Sequence, residues 1–272
     1  MKKIIPIVVI VIIILIVLIY FLRNKKEYEF KIYFFNSGSS DAMIINNKDK
    51  YIMIDTAEES FSDEIIKYFE KNNIKTLDYL IITHFDKDHV GGASKIIDNI
   101  NVKNVLQSNY PKDSIYYNNY IESLNKKDIE PITVEETLEF HLEELRVVVN
   151  GPGMIYTKNE SNNSSLITKI YYKNNSFIFM GDTENARLKD FNKINTEKFD
   201  FMKVPYHGRY LKQLDELFEI TSPKYAVITS SFEDANEKTL ELLNKYNVKT
   251  YMTRDGDFYI YSDGKNITKS IF

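Results

Sequence analysis

The chain has no cysteine, only four histidines and only five arginines (Arg23, Arg146, Arg187, Arg209 and Arg254) in 272 residues. Without cysteine there is no disulfide framework, no thiolate zinc site, no thiol nucleophile and no lipidated N-terminal cysteine. With 35 basic and 39 acidic residues the formal charge is −4, which excludes a broad basic surface of the kind that grips nucleic acid. Most basic residues are lysines scattered among Asn, Ile and Tyr, a composition that follows AT-rich coding and marks no binding patch. The length accommodates one large domain or two small ones with a full hydrophobic core.

The charge is unevenly divided. Residues 4–22 form an apolar run of 19 without a charge, preceded by Lys2 and Lys3 and followed by Arg23, Lys25 and Lys26. At about 1.5 Å per residue, a helix over this run nearly spans a hydrocarbon core of roughly 30 Å. The run is long for a secretory leader, and Arg23-Asn24-Lys25-Lys26-Glu27 offers no small-residue cleavage site. Residues 1–26 therefore read as an uncleaved single-pass membrane anchor, and 27–272 as one domain, placed outside the membrane with the N-terminus inside. Two basic residues on one flank and three on the other set that orientation only weakly. Taking five basic residues from 35 leaves 30 against 39 acidic ones, so the domain carries −9.

Within the domain, short β-branched and aromatic runs at 28–35, 42–46 and 51–54 read as strands separated by polar turns. Apolar spacing predicts a helix over 61–71. Further strands are expected at 77–83, 102–107, 138–140, 145–149, 165–172, 177–180, 199–204, 225–229, 249–252 and 258–261. Helices are expected at 93–100, 116–125, 184–191, 211–220 and 236–244. There is no internal repeat and no long linker. This alternation suits an α/β domain with two packed sheets and outer helices.

One segment carries the chemistry. A compact apolar strand runs into His84-Phe85-Asp86-Lys87-Asp88-His89-Val90-Gly91-Gly92. Four ligand-type side chains, His84, Asp86, Asp88 and His89, thus sit within six residues on a tight loop at a strand end, where they can converge on one or two cations. Imidazole with carboxylate suits zinc, manganese or iron. His141, between Phe140 and Leu142, belongs to no such group and reads as an ordinary surface or packing residue.

The pattern His-x-Asp-x-Asp-His followed by Gly-Gly resembles the signature of the metallo-β-lactamase superfamily, usually His-x-His-x-Asp-His. Asp in the second ligand position is similar to the branch containing the C-terminal domain of the competence protein ComEC. Other segments resemble that branch in the same order. They are residues 36–42 (its Gly-Asp-Ala turn), Ile54-Asp55-Thr56, Asn162-Asn163-Ser164-Ser165-Leu166, Gly181-Asp182 and Lys203-Val204-Pro205-Tyr206-His207-Gly208. The resemblance covers roughly 29–262. It implies an αββα four-layer sandwich and a centre for two divalent metal ions, Zn²⁺ or Mn²⁺.

It also implies roles. His84 and Asp86 would bind the first metal, Asp88, His89 and His207 the second, and Asp182 would bridge them, which places Asp88 and Asp182 in the catalytic centre. Asn162 or Asn163 falls where many relatives carry a further first-site His. Asp41 and Asp55 would hold the ligand loops by accepting hydrogen bonds. Tyr206 and Arg209 stand where the branch has His and Ser, and together with Asn162 and Asn163 they are the candidate substrate contacts.

Two cations about 4 Å apart lower the pKa of a shared water toward 7 and supply a hydroxide nucleophile. The branch is associated with nuclease activity, so the leading expectation is a membrane-anchored hydrolase of phosphodiesters, with nucleic acid as a candidate substrate and no protein partner implied. Hydrolysis of a small-molecule ester, amide or lactone is the alternative, and a non-catalytic binding protein on a degenerate metal site is the third reading.

Overall fold

Period-two alternation in the strands sorts their side chains into separate cores. In the first strand Phe30, Ile32 and Phe34 enter one buried cluster, while Tyr33, and Phe35 just beyond the strand, enter another. Such a strand has two buried faces and must lie in an inner layer. The structure is a computed structural model that describes residues 28–231 and 235–271. The expected anchor, with its helix at about 4–22, lies outside the described residues. Among those described, no helix is long and apolar enough to cross a membrane.

The strands are β1 (Phe30–Phe34), β2 (Ala42–Asn47), β3 (Lys50–Thr56), β4 (Thr76–Leu77), β5 (Tyr79–Ile82), β6 (Asn101–Val102), β7 (Val105–Gln107), β8 (Ile132–Thr133), β9 (Thr137–Leu142), β10 (Leu145–Asn150), β11 (Ile167–Tyr172), β12 (Asn175–Phe179), β13 (Phe201–Lys203), β14 (Tyr225–Ile228), β15 (Lys249–Met252), β16 (Phe258–Ser262) and β17 (Ile267–Ile271). Among the described residues they form an eight-stranded sheet in the order β17-β16-β1-β2-β3-β5-β7-β8, a seven-stranded sheet in the order β15-β14-β13-β12-β11-β10-β9, and a small ribbon of β4 and β6. Both large sheets are mixed. β3, β5 and β7 run parallel in the first, and β12, β13, β14 and β15 run parallel in the second.

The sheets meet face to face. Phe30, Ile54 and Ile81 of the first share a core with Val147, Phe177 and Phe201 of the second. The outer face of the first sheet packs on helices Ser62–Lys71, Ala93–Asn99 and Ile115–Lys126 through Ile65, Phe69, Ile96, Ile97, Tyr120 and Leu124. The outer face of the second packs on Asn185–Ile194, Leu214–Thr221 and Glu237–Lys245 through Leu188, Phe191, Leu217, Phe218 and Leu243. The layers are helix, sheet, sheet, helix, as expected.

Local differences have local causes. The strand expected at 77–83 is broken at Asp78, whose buried carboxylate accepts hydrogen bonds from the Tyr51 amide (3.0 Å) and Lys103 Nζ (2.8 Å). The strand expected at 102–107 breaks opposite it, where the Asn104 side chain donates to the Asp78 carbonyl. The detached ends, β4 and β6, pair with each other instead. The helical turns Lys87–Val90 and Glu160–Asn163 and the strands β8 and β17 have patterns too short or too polar for periodicity to mark.

Candidate metal centre

The centre lies where the C-terminal ends of parallel strands from both sheets meet. After β5 the chain enters Thr83 and His84. After β12 it enters Met180, Gly181 and Asp182. After β13 it reaches a single 3₁₀ turn, Tyr206–Gly208, and after β14 it enters Thr229. Ends of parallel strands leave side chains free of the ladder and aimed at one crevice.

The diglycine after His89 serves packing rather than unusual backbone angles. A Cβ on Gly92 would meet the Thr56 carbonyl oxygen, and one on Gly91 the Lys87 carbonyl oxygen and the Glu59 amide. Glycine therefore lets helix Ala93–Asn99 start directly against the end of β3. The loop is fastened there by Gly92 N–H to the Ala57 carbonyl (3.0 Å) and by the Thr56 hydroxyl to the His89 carbonyl (2.8 Å). Asp55, Tyr206 and His207 all have left-handed backbone, with φ of 54°, 50° and 50°. Such strain in non-glycine residues persists only where the surroundings enforce it.

His84, Asp86, Asp88, His89, Asp182 and His207 come together at this crevice. Oxygen and nitrogen atoms of Asp88, His89, Asp182 and His207 all lie within 4.8 Å of one another. Asp182 Oδ2 is 3.4 Å from His89 Nε2 and 3.2 Å from His207 Nε2; Asp88 Oδ2 is 3.7 and 3.4 Å from the same two nitrogens. The His84 ring sits 4.0 Å from that of His89, centroid to centroid, and its Nε2 is 4.0 Å from Asp86 Oδ1.

Hydrogen-bond accounting fixes the tautomers. His89 Nδ1 is 2.8 Å from Asp55 Oδ2, and a carboxylate accepts only, so Nδ1 carries the proton. His207 Nδ1 is 2.8 Å from the Thr229 carbonyl and donates for the same reason. The Thr83 hydroxyl spends its one proton on Asp55 Oδ2 (2.7 Å), so toward His84 Nδ1 (3.1 Å) it can only accept. All three rings, when neutral, thus present a bare Nε2 to the crevice. Each of these Nε2 atoms is buried with no hydrogen-bond partner, and so is Asp182 Oδ1. Orphaned buried polar atoms are costly, and four at one point are the signature of a place built for a cation. The donors present fit a divalent metal.

The electrostatics agree. Burial, together with neighbouring His89, lowers His84 to about 4, so it stands neutral. Burial opposes charge on His89, but Asp182, Asp55 and Asp88 outweigh it and raise the imidazole well above its ordinary value. His207 is raised to about 9 by Asp182, Asp88 and Asp41 against the same burial. Asp88 and Asp182 are held well below the usual carboxylate range despite burial, by His89 and His207.

Asp41 and Asp55 support the loops from beneath. Asp55, fully buried, also accepts from the Thr83 amide (2.7 Å). Asp41 is buried against the Lys203 ammonium and accepts from the Thr229 hydroxyl. Lys203 was not singled out by motif reasoning, although it opens the segment that carries His207. It is completely buried, donates to the Gly181 carbonyl (3.2 Å) and lies 3.8 Å from Asp182 Oδ1. Ser165 is a further addition, receiving the Asp182 amide (3.2 Å) and touching His84 Nδ1 (3.3 Å).

An open cleft of about 510 Å³ adjoins the cluster at Asp86 and is lined also by Lys112, Asn162, Glu184 and Tyr206. Asn162 donates to Glu184 (2.9 Å). Asn163 does not line this cleft. It is buried, donating to the Lys158 carbonyl and accepting from the Arg187 amide, so its amide is structural rather than a substrate contact. Arg209 is exposed and stacks over the Tyr206 ring, 4.9 Å from its centroid, with a hydrogen bond to the Tyr206 hydroxyl (3.2 Å). His141 is exposed on β9, the edge strand of the second sheet.

A family model of the metallo-beta-lactamase superfamily matches residues 36–230, and the chain belongs to that superfamily. Its sequence is similar to ComE operon protein 3 of Bacillus subtilis (strain 168), 26% identical over an alignment of 228 positions that covers 76% of this chain and 29% of that protein. It is also similar to Recombination protein 2 of Haemophilus influenzae, 24% identical over 221 residues, 77% of this chain and 26% of that protein. The chain thus spans less than a third of the length of these relatives. The solved metallo-beta-lactamase fold protein YhfI from Bacillus subtilis superposes with a TM-score of 0.58 at 7% identity, covering 89% of this chain and all of that one, a likeness of fold alone. Fold and buried His/Asp cluster together are those of a metal-dependent hydrolase of this superfamily.

Proposed function

We propose that the protein cleaves phosphodiester bonds at this centre, held at a membrane by residues 1–26 with its domain on the extracytoplasmic side. The observation that carries the metal chemistry is the convergence of three bare imidazole nitrogens and the unpartnered Asp182 oxygen. The resemblance to the ComEC branch directs the reading toward phosphodiesters. The carboxylates Asp86, Asp88 and Asp182 support it, since an oxygen-rich donor set favours harder ions such as Mn²⁺ alongside Zn²⁺.

In this reading Asp88, His89, Asp182 and His207 would hold a divalent cation, with His84 and Asp86 beside it. A bound divalent cation supplies an activated water near neutral pH and polarises the phosphoryl group. The chain's own part is to hold the donors still. Asp55 and the Thr229 carbonyl keep the proton on the Nδ1 side of His89 and His207, as such outer partners do around bound metals. The cleft beside Asp86 admits the substrate, with Tyr206, braced by Arg209, and Asn162 at its wall. Because the domain is acidic overall, a nucleic-acid substrate would be held at the centre with little nonspecific grip.

The test is hydrolysis of bis-p-nitrophenyl phosphate by the full-length chain with Mn²⁺ or Zn²⁺, beside a panel of esters and lactones. Phosphodiester turnover that vanishes in Asp182→Ala and His89→Ala and persists in His141→Ala is expected. An inert phosphodiester with a lactone or ester turned over would refute the substrate class. Full activity in either ligand variant would refute the centre.

A further inference from the structure

One side of the centre is built differently from the other. Asp88, His89, Asp182 and His207 form a compact four-residue donor group, whereas His84 has as its nearest carboxylate Asp86, at 4.0 Å. That carboxylate is already engaged. Lys112 Nζ, from the segment after β7, lies 2.7 Å from Asp86 Oδ1, and the Ser161 hydroxyl donates to the same oxygen. Three separate segments of the chain therefore meet at Asp86, and one of them brings a positive charge.

No imidazole remains to complete the position. Of the four histidines in the chain, three are in the cluster and His141 is exposed on β9. Asn162, where a further His ligand is expected by resemblance, is bonded to Glu184, which also receives Asn159. Asn163 is committed to the Lys158 carbonyl and the Arg187 amide. An ammonium in contact with a potential ligand both occupies its lone pairs and repels a nearby divalent cation.

We infer that the centre holds one divalent cation tightly, at Asp88, His89, Asp182 and His207, and that the Lys112 ammonium beside Asp86 supplies the positive charge that a second cation gives in a two-metal centre. Lys112 lines the same cleft as Asp86 and Tyr206, and 39% of its side chain is exposed. It can therefore reach a non-bridging oxygen of a phosphoryl group entering that cleft while staying close to Asp86. The contact with substrate rests on the phosphodiester reading; the cation count does not.

Both parts are tested on the full-length chain by titrating Mn²⁺ into metal-free protein. Bound metal is counted by mass spectrometry, and electron paramagnetic resonance separates isolated from exchange-coupled ions. The wild type is expected to bind one equivalent with the spectrum of an isolated ion. Lys112→Met should tighten a second binding step at least tenfold and give an exchange-coupled spectrum, while Lys112→Arg, which keeps the charge, should stay at one. Two tight, coupled equivalents in the wild type would overturn the inference, as would a second step in Lys112→Met no tighter than in the wild type. If bis-p-nitrophenyl phosphate is a substrate, Lys112→Met assayed with one equivalent of Mn²⁺ should show a KM about tenfold higher than the wild type, Lys112→Arg should stay near the wild-type KM, and a second equivalent should lower the KM of Lys112→Met. If it is not, the cation counts still decide the inference, and the proposed substrate class alone fails.

Discussion

Replacing Asp55 by Asn changes almost no volume and alters one proton. Asp55 accepts three hydrogen bonds, from the Thr83 amide, the Thr83 hydroxyl and His89 Nδ1, at 2.7, 2.7 and 2.8 Å. An asparagine can keep Oδ1 as acceptor for the Thr83 amide, but its NH₂ then faces His89 Nδ1. Donor against donor is relieved when His89 gives up the Nδ1 proton and keeps one on Nε2, the atom that points into the cluster. Each metal-binding event must then reverse that tautomer and leave two N–H groups opposed. Loss of an outer partner of this kind typically lowers metal affinity 10- to 100-fold, about 1.4 to 2.7 kcal/mol. The Thr83 hydroxyl can turn elsewhere, so the fold itself should lose only about 1–2 kcal/mol. Calorimetric titration of Zn²⁺ or Mn²⁺ into metal-free wild type and Asp55→Asn measures the first quantity, and urea unfolding without metal measures the second. The expected pattern is a large loss of affinity beside a small loss of stability. Unchanged metal affinity would refute the claim that the Asp55 bond sets the His89 ring for ligation. A loss of stability without loss of affinity would reduce Asp55 to a turn residue at the end of a strand.

Two other outcomes follow from the same geometry. Lys203→Met keeps the side chain's volume but leaves the buried Asp41 carboxylate without its ammonium. Because the Thr229 hydroxyl still donates to Asp41, the expected cost is about 3 kcal/mol, the lower end for breaking a buried pair, read as a lowered urea midpoint; an unmoved midpoint would refute it. Metal affinity should rise with pH. In the metal-free protein His207 keeps a proton up to about 9, because Asp182, Asp88 and Asp41 outweigh the effect of burial, and His89 is raised as well. Ligation requires neutral rings, so protons are displaced below that pH. The apparent Kd should fall about tenfold per pH unit for each proton displaced as the pH rises toward about 9 and level off above it, in competition titrations against a chelator. A Kd independent of pH over that range would show that the rings are neutral before metal arrives.

The layers were legible in the sequence because strand alternation and helix spacing are local patterns. Phe177 and Phe179 alternate with Ile178 and Met180, and the fold sends the first pair to the inter-sheet core and the second under the helices. The boundaries at 77–83 and 102–107 were not legible. What breaks those strands is Asp78 bonding to Tyr51 and Lys103, partners 27 and 25 residues away. The six ligand-type residues were legible for a related reason. They occur in three short motifs, each at the end of an apolar run, and their order resembles one family.

Tertiary structure alone decided how those residues are wired. The sequence presents Asp55 as a loop-holding acceptor without saying which group it binds, Lys203 as one lysine inside a motif and Lys112 as one of 26 lysines after residue 26; the fold makes them respectively the acceptor that sets the His89 proton, the fully buried counter-charge of Asp41, and the cation held against Asp86. Likewise Asn162 and Asn163 are neighbours with the same side chain, yet one lines the cleft and the other is spent on backbone groups. Composition and order determined that this chain carries a His/Asp metal centre in an αββα sandwich. Which donors are bare, which are already paired, and where the fixed positive charges lie depend on contacts between segments far apart in the chain, and only the packing of the two sheets brings those segments together.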